Sequence, residues 1–136
     1  MQYETIVLGA GAAGLMCGAQ AGASVLVIDH ARAPGEKIRI SGGGRCNFTN
    51  IHTAADRFLS QNPHFHKSAL SRYTQWDFID LIRQHGIAYH EKTLGQLFCD
   101  GSSKEVVAML RAELNRAGAV LWLQTCLKEL RKTDHG

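Results

Sequence analysis

What this sequence has little of narrows it first. Its 136 residues hold four cysteines, Cys17, Cys46, Cys99 and Cys126, far apart and without a Cys-x-x-Cys pair. Reduced thiols in a cytoplasmic protein are therefore expected. No segment approaches the ~20 apolar residues needed to span a bilayer. No charged leader precedes an apolar stretch after Met1, so no membrane and a cytoplasmic location are expected. Aromatic residues make up 7% of the chain, and lysine and arginine never run beyond two in a row. With 15 basic against 12 acidic residues, the formal charge of +3 is too mild to mark a nucleic-acid surface. A small-molecule substrate and no nucleic-acid partner are expected, with the oligomeric state left open. Internal repeats and low-complexity segments are absent.

Apolar residues account for 45% of the chain and charged ones for 20%, enough for a packed α/β core in one domain or part of one. Residues 4–8 read as a buried strand, since they are rich in β-branched residues and end in the apolar run Ile6-Val7-Leu8. A glycine turn, Gly9-Ala10-Gly11-Ala12-Ala13-Gly14, leads into a helix over residues 12–20, which Gly22 ends. Residues 24–29 read as a second buried strand, parallel to the first because β-α-β crossovers are right-handed. Pro34 and Gly35 open a loop well beyond the usual ~4–6 residues.

After that loop the expected elements are mostly helical. A short helix is expected over residues 66–73. Thr74 and Asp77 resemble a capping box starting a helix that runs to His85 and stops at Gly86, with Trp76, Phe78, Ile79 and Ile82 as its core side. Residues 87–90 and 96–99 read as short strands. Ser102 and Glu105 cap a helix with Val106, Val107, Leu110, Leu114 and Ala117 on one face, ending at Gly118. Residues 119–123 are a third buried strand, and residues 127–131 the start of another.

The glycine turn has a chemical reading. Gly9 permits a tight turn, Gly11 lets backbone approach a pyrophosphate, and Gly14 lets helix and strand pack closely. Free N–H groups at the helix start direct partial positive charge toward phosphates. Asp29 lies 20 positions after Gly9, the spacing of an acid that accepts hydrogen bonds from a ribose. Asp29 disfavours NADP, partly offset by Arg32. NAD and FAD share adenosine diphosphate, so this unit alone leaves both open.

The segment Ser41-Gly42-Gly43-Gly44-Arg45-Cys46-Asn47-Phe48-Thr49-Asn50, preceded by Gly35-Glu36-Lys37, separates them by likeness. It resembles the signature of the HI0933-like flavoproteins, the BaiN-type or aminoacetone-oxidase-type FAD-binding oxidoreductases. The likeness continues in Lys67-Ser68-Ala69-Leu70-Ser71-Arg72-Tyr73 and in Gly95-Gln96-Leu97-Phe98-Cys99. It implies an α/β fold, a Rossmann-like FAD/NAD(P)-binding domain of glutathione-reductase type with a parallel sheet core, incomplete at this length. Residues 1–136 would be the N-terminal portion, without the substrate domain or the C-terminal part of the FAD domain.

Carried over by position, the resemblance implies a pyrophosphate loop of Gly9, Gly11, Ala12, Ala13 and Gly14. It implies Asp29 as the ribose acid with His30 beside it, and Lys37 as a base facing the cofactor. Ser41, Gly42, Gly43, Arg45, Cys46 and Asn47 would wrap the middle and flavin side of FAD. Leu127 would be a strand residue offering its backbone to the adenine. The helix after Gly14 is about one turn shorter than in relatives, roughly three or four residues.

Other readings weigh less. Cys46 reads more readily as a structural loop thiol than as a redox group. His64 and His66 lack a third metal ligand, and no metal is expected. The reading is an FAD-dependent oxidoreductase of unknown substrate and unknown catalytic residues, with NAD(P)H as a candidate reductant, inactive as this portion alone. The alternatives are a non-catalytic nucleotide-binding fragment of a truncated flavoprotein and an NAD-dependent Rossmann enzyme.

Overall fold

A computed structural model describes residues 2–132. In chain order the elements are β1 (Thr5–Leu8), α1 (Ala12–Gln20), β2 (Val25–Ile28), α2 (Glu36–Ile40), a 3-10 turn (Ser41–Gly44), β3 (Asn47–Asn50), a second 3-10 turn (Ala55–Arg57), α3 (Lys67–Arg72), α4 (Gln75–Gln84), β4 (Tyr89–Glu91), β5 (Gln96–Cys99), α5 (Ser103–Arg116) and β6 (Val120–Trp122). They divide into two compact units. One takes in the described residues up to Glu36 and those from Leu110 onward; the other is Lys37–Met109.

The first unit is a Rossmann-like α/β layer. Its three strands run parallel in the order β1-β2-β6, with Thr5 opposite Val25 and Leu26 opposite Val120. Helix α1 lies on the face that carries Val25 and Val27, and its Leu15 is fully buried. Gly18 makes that contact close: a Cβ there would come within 2.6 Å of Val27 Cγ2 and 2.7 Å of Leu114 Cδ1. Helix α1 thus packs closely against the sheet, because its inner residue has no side chain to hold it off.

The strands at either side of β2 are less buried than their composition predicts. Ile6 and Leu8 of β1 are 55% and 56% exposed, and Val120 and Trp122 of β6 are exposed as well. A continuous apolar run implies cover on both faces of a parallel sheet. Here one face of the two edge strands lacks it among the described residues. The further strand expected at residues 127–131 is not formed; residues 125–132 carry neither helix nor strand.

The second unit has a three-stranded antiparallel sheet, β3-β5-β4, with Asn47 opposite Phe98 and Tyr89 opposite Cys99. Helix α4 supplies Ile79 and Ile82, both fully buried, and Phe48 packs between Phe78 and Tyr89 at ring separations of 6.1 Å and 5.5 Å. The capping box forms: the Thr74 side chain accepts from the Asp77 N–H, and Asp77 accepts from the Thr74 N–H at 2.6 Å. Trp76, expected in the helix core, is exposed instead, in the first turn of the helix. The long loop expected after Gly35 is in fact α2, the 3-10 turn and β3. Strand β3 has a polar sequence, and its strand state comes from pairing with β5 rather than from propensity. No described helix is long and apolar enough to cross a membrane.

Candidate cofactor site

At the C-terminal ends of the parallel strands, backbone bonds knit the loops together. The Gly9 N–H donates to the Ile28 carbonyl at 2.8 Å, Asp29 N–H to Trp122 at 2.8 Å, and Thr125 N–H to Asp29 at 2.9 Å. The glycine turn rises from this edge. Gly9 has φ +103°, a conformation favouring glycine. A Cβ on Gly14 would collide with the Gly9 carbonyl oxygen. Gly11 differs: its φ is −80°, and nothing lies within 4 Å of where its Cβ would be. It is the N-cap of α1, and no side chain caps the helix. Ala12 and Ala13, the first residues of α1, are exposed and no side chain caps the helix, the condition under which a helix start receives an anion.

Asp29 braces this turn. Its carboxylate accepts from the Ala10 N–H at 2.6 Å and the Ala31 N–H at 2.8 Å. The Ala31 bond, then the Ala10 bond, hold the carboxyl below the usual aspartate range. The Gly35 N–H adds a 2.8 Å bond to the Ala10 carbonyl. The predicted ribose acid is thus first of all a loop anchor; each carboxylate oxygen keeps further acceptor capacity.

Beside it lies a cleft of about 290 Å³ lined by Gly9, Asp29, His30 and Leu127, together with Leu8, Ile28, Thr125 and Cys126. The structure brings Gly9, Asp29, His30 and Leu127 to one cleft although Leu127 is not on a strand. The His30 side chain is 81% exposed, with Nδ1 3.4 Å from Asp29 Oδ1. Thr125 and Cys126 were missed in the sequence. Only the return of the chain after β6 to the strand ends places them here.

The remaining predicted residues, Lys37, Ser41, Gly42, Gly43, Arg45, Cys46 and Asn47, belong to the second unit. Gly42, Gly43 and Gly44 follow one another at φ +57°, +65° and +84°. Gly42 is needed for packing, since a Cβ would lie 2.7 Å from Phe98 Cε1; Gly43 has nothing within 4 Å. Lys37, Arg45 and Asn47 are exposed. Arg39 Nε is buried without a partner. Cys46 is buried at φ +53°, and burial pushes its thiol up, opposed by a bond with Ser41. Cys99 is pushed up to about 11, by burial first and by neighbouring Cys46 second. These are thiols rather than thiolates at neutral pH. Among the described residues no three side chains of metal-ligating type cluster.

The family described as HI0933-like protein Rossmann domain matches residues 3–136. A ribosomal RNA dihydrouridine synthase of Escherichia coli is 53% identical across 99% of this chain, which spans 34% of that protein. A 3-dehydro-bile acid delta(4,6)-reductase of Clostridium scindens is 23% identical over 96% of the chain and 33% of its own length. Among solved structures, THI4 of Thermovibrio ammonificans superposes with a TM-score of 0.51 at 16% identity, over 90% of this chain and 38% of that one. The Diels-Alderase PyrE3 of pyrroindomycin biosynthesis gives 0.52 at 19% identity, over 96% and 27%. These two likenesses are of fold. The chain spans about a third of the length of the curated relatives.

Proposed function

The chain belongs to the HI0933-like family, and from that premise we propose that it is the FAD-binding part of a flavin-dependent oxidoreductase that saturates a carbon–carbon double bond, with uridine in RNA as the substrate class. The observation that carries the cofactor assignment is the uncapped start of α1 beneath an open Gly11, with Asp29 bracing the turn. Diphosphate suits those N–H groups, and the cleft of Asp29, His30 and Leu127 suits an adenosine. FAD rather than NAD follows from the segment of Ser41, Gly42, Gly43, Arg45, Cys46 and Asn47. The open backbone at Gly43 and the exposed Lys37 and Arg45 fit the polar atoms of a flavin.

Bound FAD supplies hydride chemistry; the protein supplies binding, orientation and electrostatics. Cys46, buried within its own unit, then has a structural part. NAD(P)H is the proposed reductant, and the cytoplasm the proposed location.

The substrate class rests on the Escherichia coli relative, 53% identical over nearly the whole chain. Making dihydrouridine from uridine and reducing a dienone both saturate a conjugated double bond, so one cofactor chemistry serves both named activities. The second reading is the small-molecule substrate expected from the sequence; the Clostridium scindens relative favours it, at lower identity. The test has two parts. Flavin released from the purified protein by denaturation should run as FAD. The reduced longer protein of which this chain is the proposed FAD-binding part should then be reoxidised by uridine-containing RNA and not by a steroid dienone. Absence of flavin, or reoxidation by the dienone alone, would overturn the corresponding half.

A further inference from the structure

Directly after the glycine-rich segment, the second unit opens a cleft of about 500 Å³ lined by Asn50, His52, Thr53, Arg57, Phe58 and Leu94. Its volume lies in the range of small-ligand sites. Its rim is preformed by a chain of bonds. Asn50 Nδ2 donates to the Leu94 carbonyl at 2.9 Å, and Asn50 Oδ1 accepts from the His52 N–H at 2.8 Å. Thr53 Oγ1 donates to the Asn50 carbonyl at 2.7 Å. Gly95 leaves room for this arrangement: a Cβ there would lie 2.6 Å from His52 Cδ2 and 2.7 Å from Asn50 Oδ1. Preformed walls reduce the ordering cost of binding.

The lining is of three kinds. Phe58 stacks on His66 at 5.2 Å and 30°, and His66 Nε2 lies 2.8 Å from the Ala55 carbonyl, which holds the pair in place. Phe58 nevertheless stays 44% exposed, so part of its ring can receive a second flat group. The Arg57 guanidinium is exposed, with only a loose 3.8 Å contact to Asp56. The His52 ring has no hydrogen-bond partner among the described residues. A flat ring surface, a cation and an imidazole around one cleft match a planar heterocycle carrying an anionic group.

We infer that this cleft binds a pyrimidine nucleotide, with the base on Phe58 and the phosphate at Arg57. The assignment rests on the uridine reading above and deepens it. Asn50 is both the last residue of the glycine-rich segment and a wall of the cleft, so a nucleotide held here lies next to the segment proposed to hold the flavin side of FAD. A steroid would leave the Arg57 and His52 groups without partners.

The test titrates the full chain, supplied with FAD, with uridine 5′-monophosphate and with a short oligouridylate, followed by NMR. Both should bind saturably. Phe58→Leu and Arg57→Gln should each weaken binding by about tenfold, the scale of one lost stacking or charged contact. Both residues are exposed, so circular dichroism and melting should match the parent. Leu94→Ala, at an 85% exposed position, is the further variant and should weaken binding by less. Tighter binding of the oligomer assigns the site to RNA; tighter binding of the monomer assigns it to free nucleotide. No saturable binding, or binding unchanged in Phe58→Leu and Arg57→Gln, overturns the cleft assignment. FAD binding is read separately on the same samples. Its loss with intact uridylate binding would remove the flavin reading and leave the cleft standing.

Discussion

In the first unit a parallel sheet leaves Ile6, Leu8 and Trp122 exposed on its edge strands, while in the second an antiparallel sheet closes Leu97, Phe98 and Cys99 away. The first unit spends its specificity on positions where nothing larger than hydrogen fits, Gly14 and Gly18. The second depends on positions that must be filled, Ile79 and Ile82. A dinucleotide fold needs its helix start brought tightly to a strand end, and close approach is made by small residues. An antiparallel sheet beside a helix needs an apolar interior, and that comes from volume. Adding a methyl group should therefore damage one unit, and removing methylene groups the other.

The largest effect should come from Gly14→Ala. Its Cβ collides with backbone at Gly9, a mechanism that costs about 4 kcal/mol or more. Urea unfolding should show the loss, and hydrogen exchange should show protection failing first in β1, α1 and β2. Ile82→Ala comes next, at about 3 kcal/mol for a fully buried position; its protection should fail first in α4 and β5. Simultaneous failure in both units for both variants would erase the distinction.

Asp29→Asn should cost about 2 kcal/mol, since it removes the charge that accepts from Ala10 and Ala31. The Asp29 carboxyl is depressed in the folded state, so its contribution is complete above the unfolded value of ~3.9 and fades as pH falls through the folded value. The variant should lose that part of the acid-side decline in melting temperature. The smallest effect is Thr74→Ala, about 1 kcal/mol for a helix cap, confined to α4.

The same contrast explains what was legible in the sequence. The first unit's turn is local: Gly9, Gly11, Gly14 and Asp29 follow one another at spacings set by one strand, one helix and one strand, so the fold could be read. The capping box at Thr74 and Asp77 was readable for the same reason. Strand β3 was not, because Asn47, Thr49 and Asn50 become a strand only by pairing with β5, far along the chain. The exposure of Ile6 and Leu8 was hidden too, since composition reports that a strand is apolar and not what covers it. Thr125 reaches the cleft through a bond to the Asp29 carbonyl, a tertiary event without local signature. The role of Asp29 was half visible: its position was readable, its bond to Ala10 was not.

The central claim is that a diphosphate of FAD rests on the backbone at Gly11. The direct measurement is a titration of the purified chain and its Gly11→Val variant with FAD, alongside circular dichroism and melting. Gly11 has φ −80° and open space around its Cβ position, so valine should leave the fold and melting temperature close to the parent. The account predicts that the folded variant loses FAD binding, because the branched side chain fills the place of the phosphates. A folded Gly11→Val protein that binds FAD as tightly as the parent would contradict it.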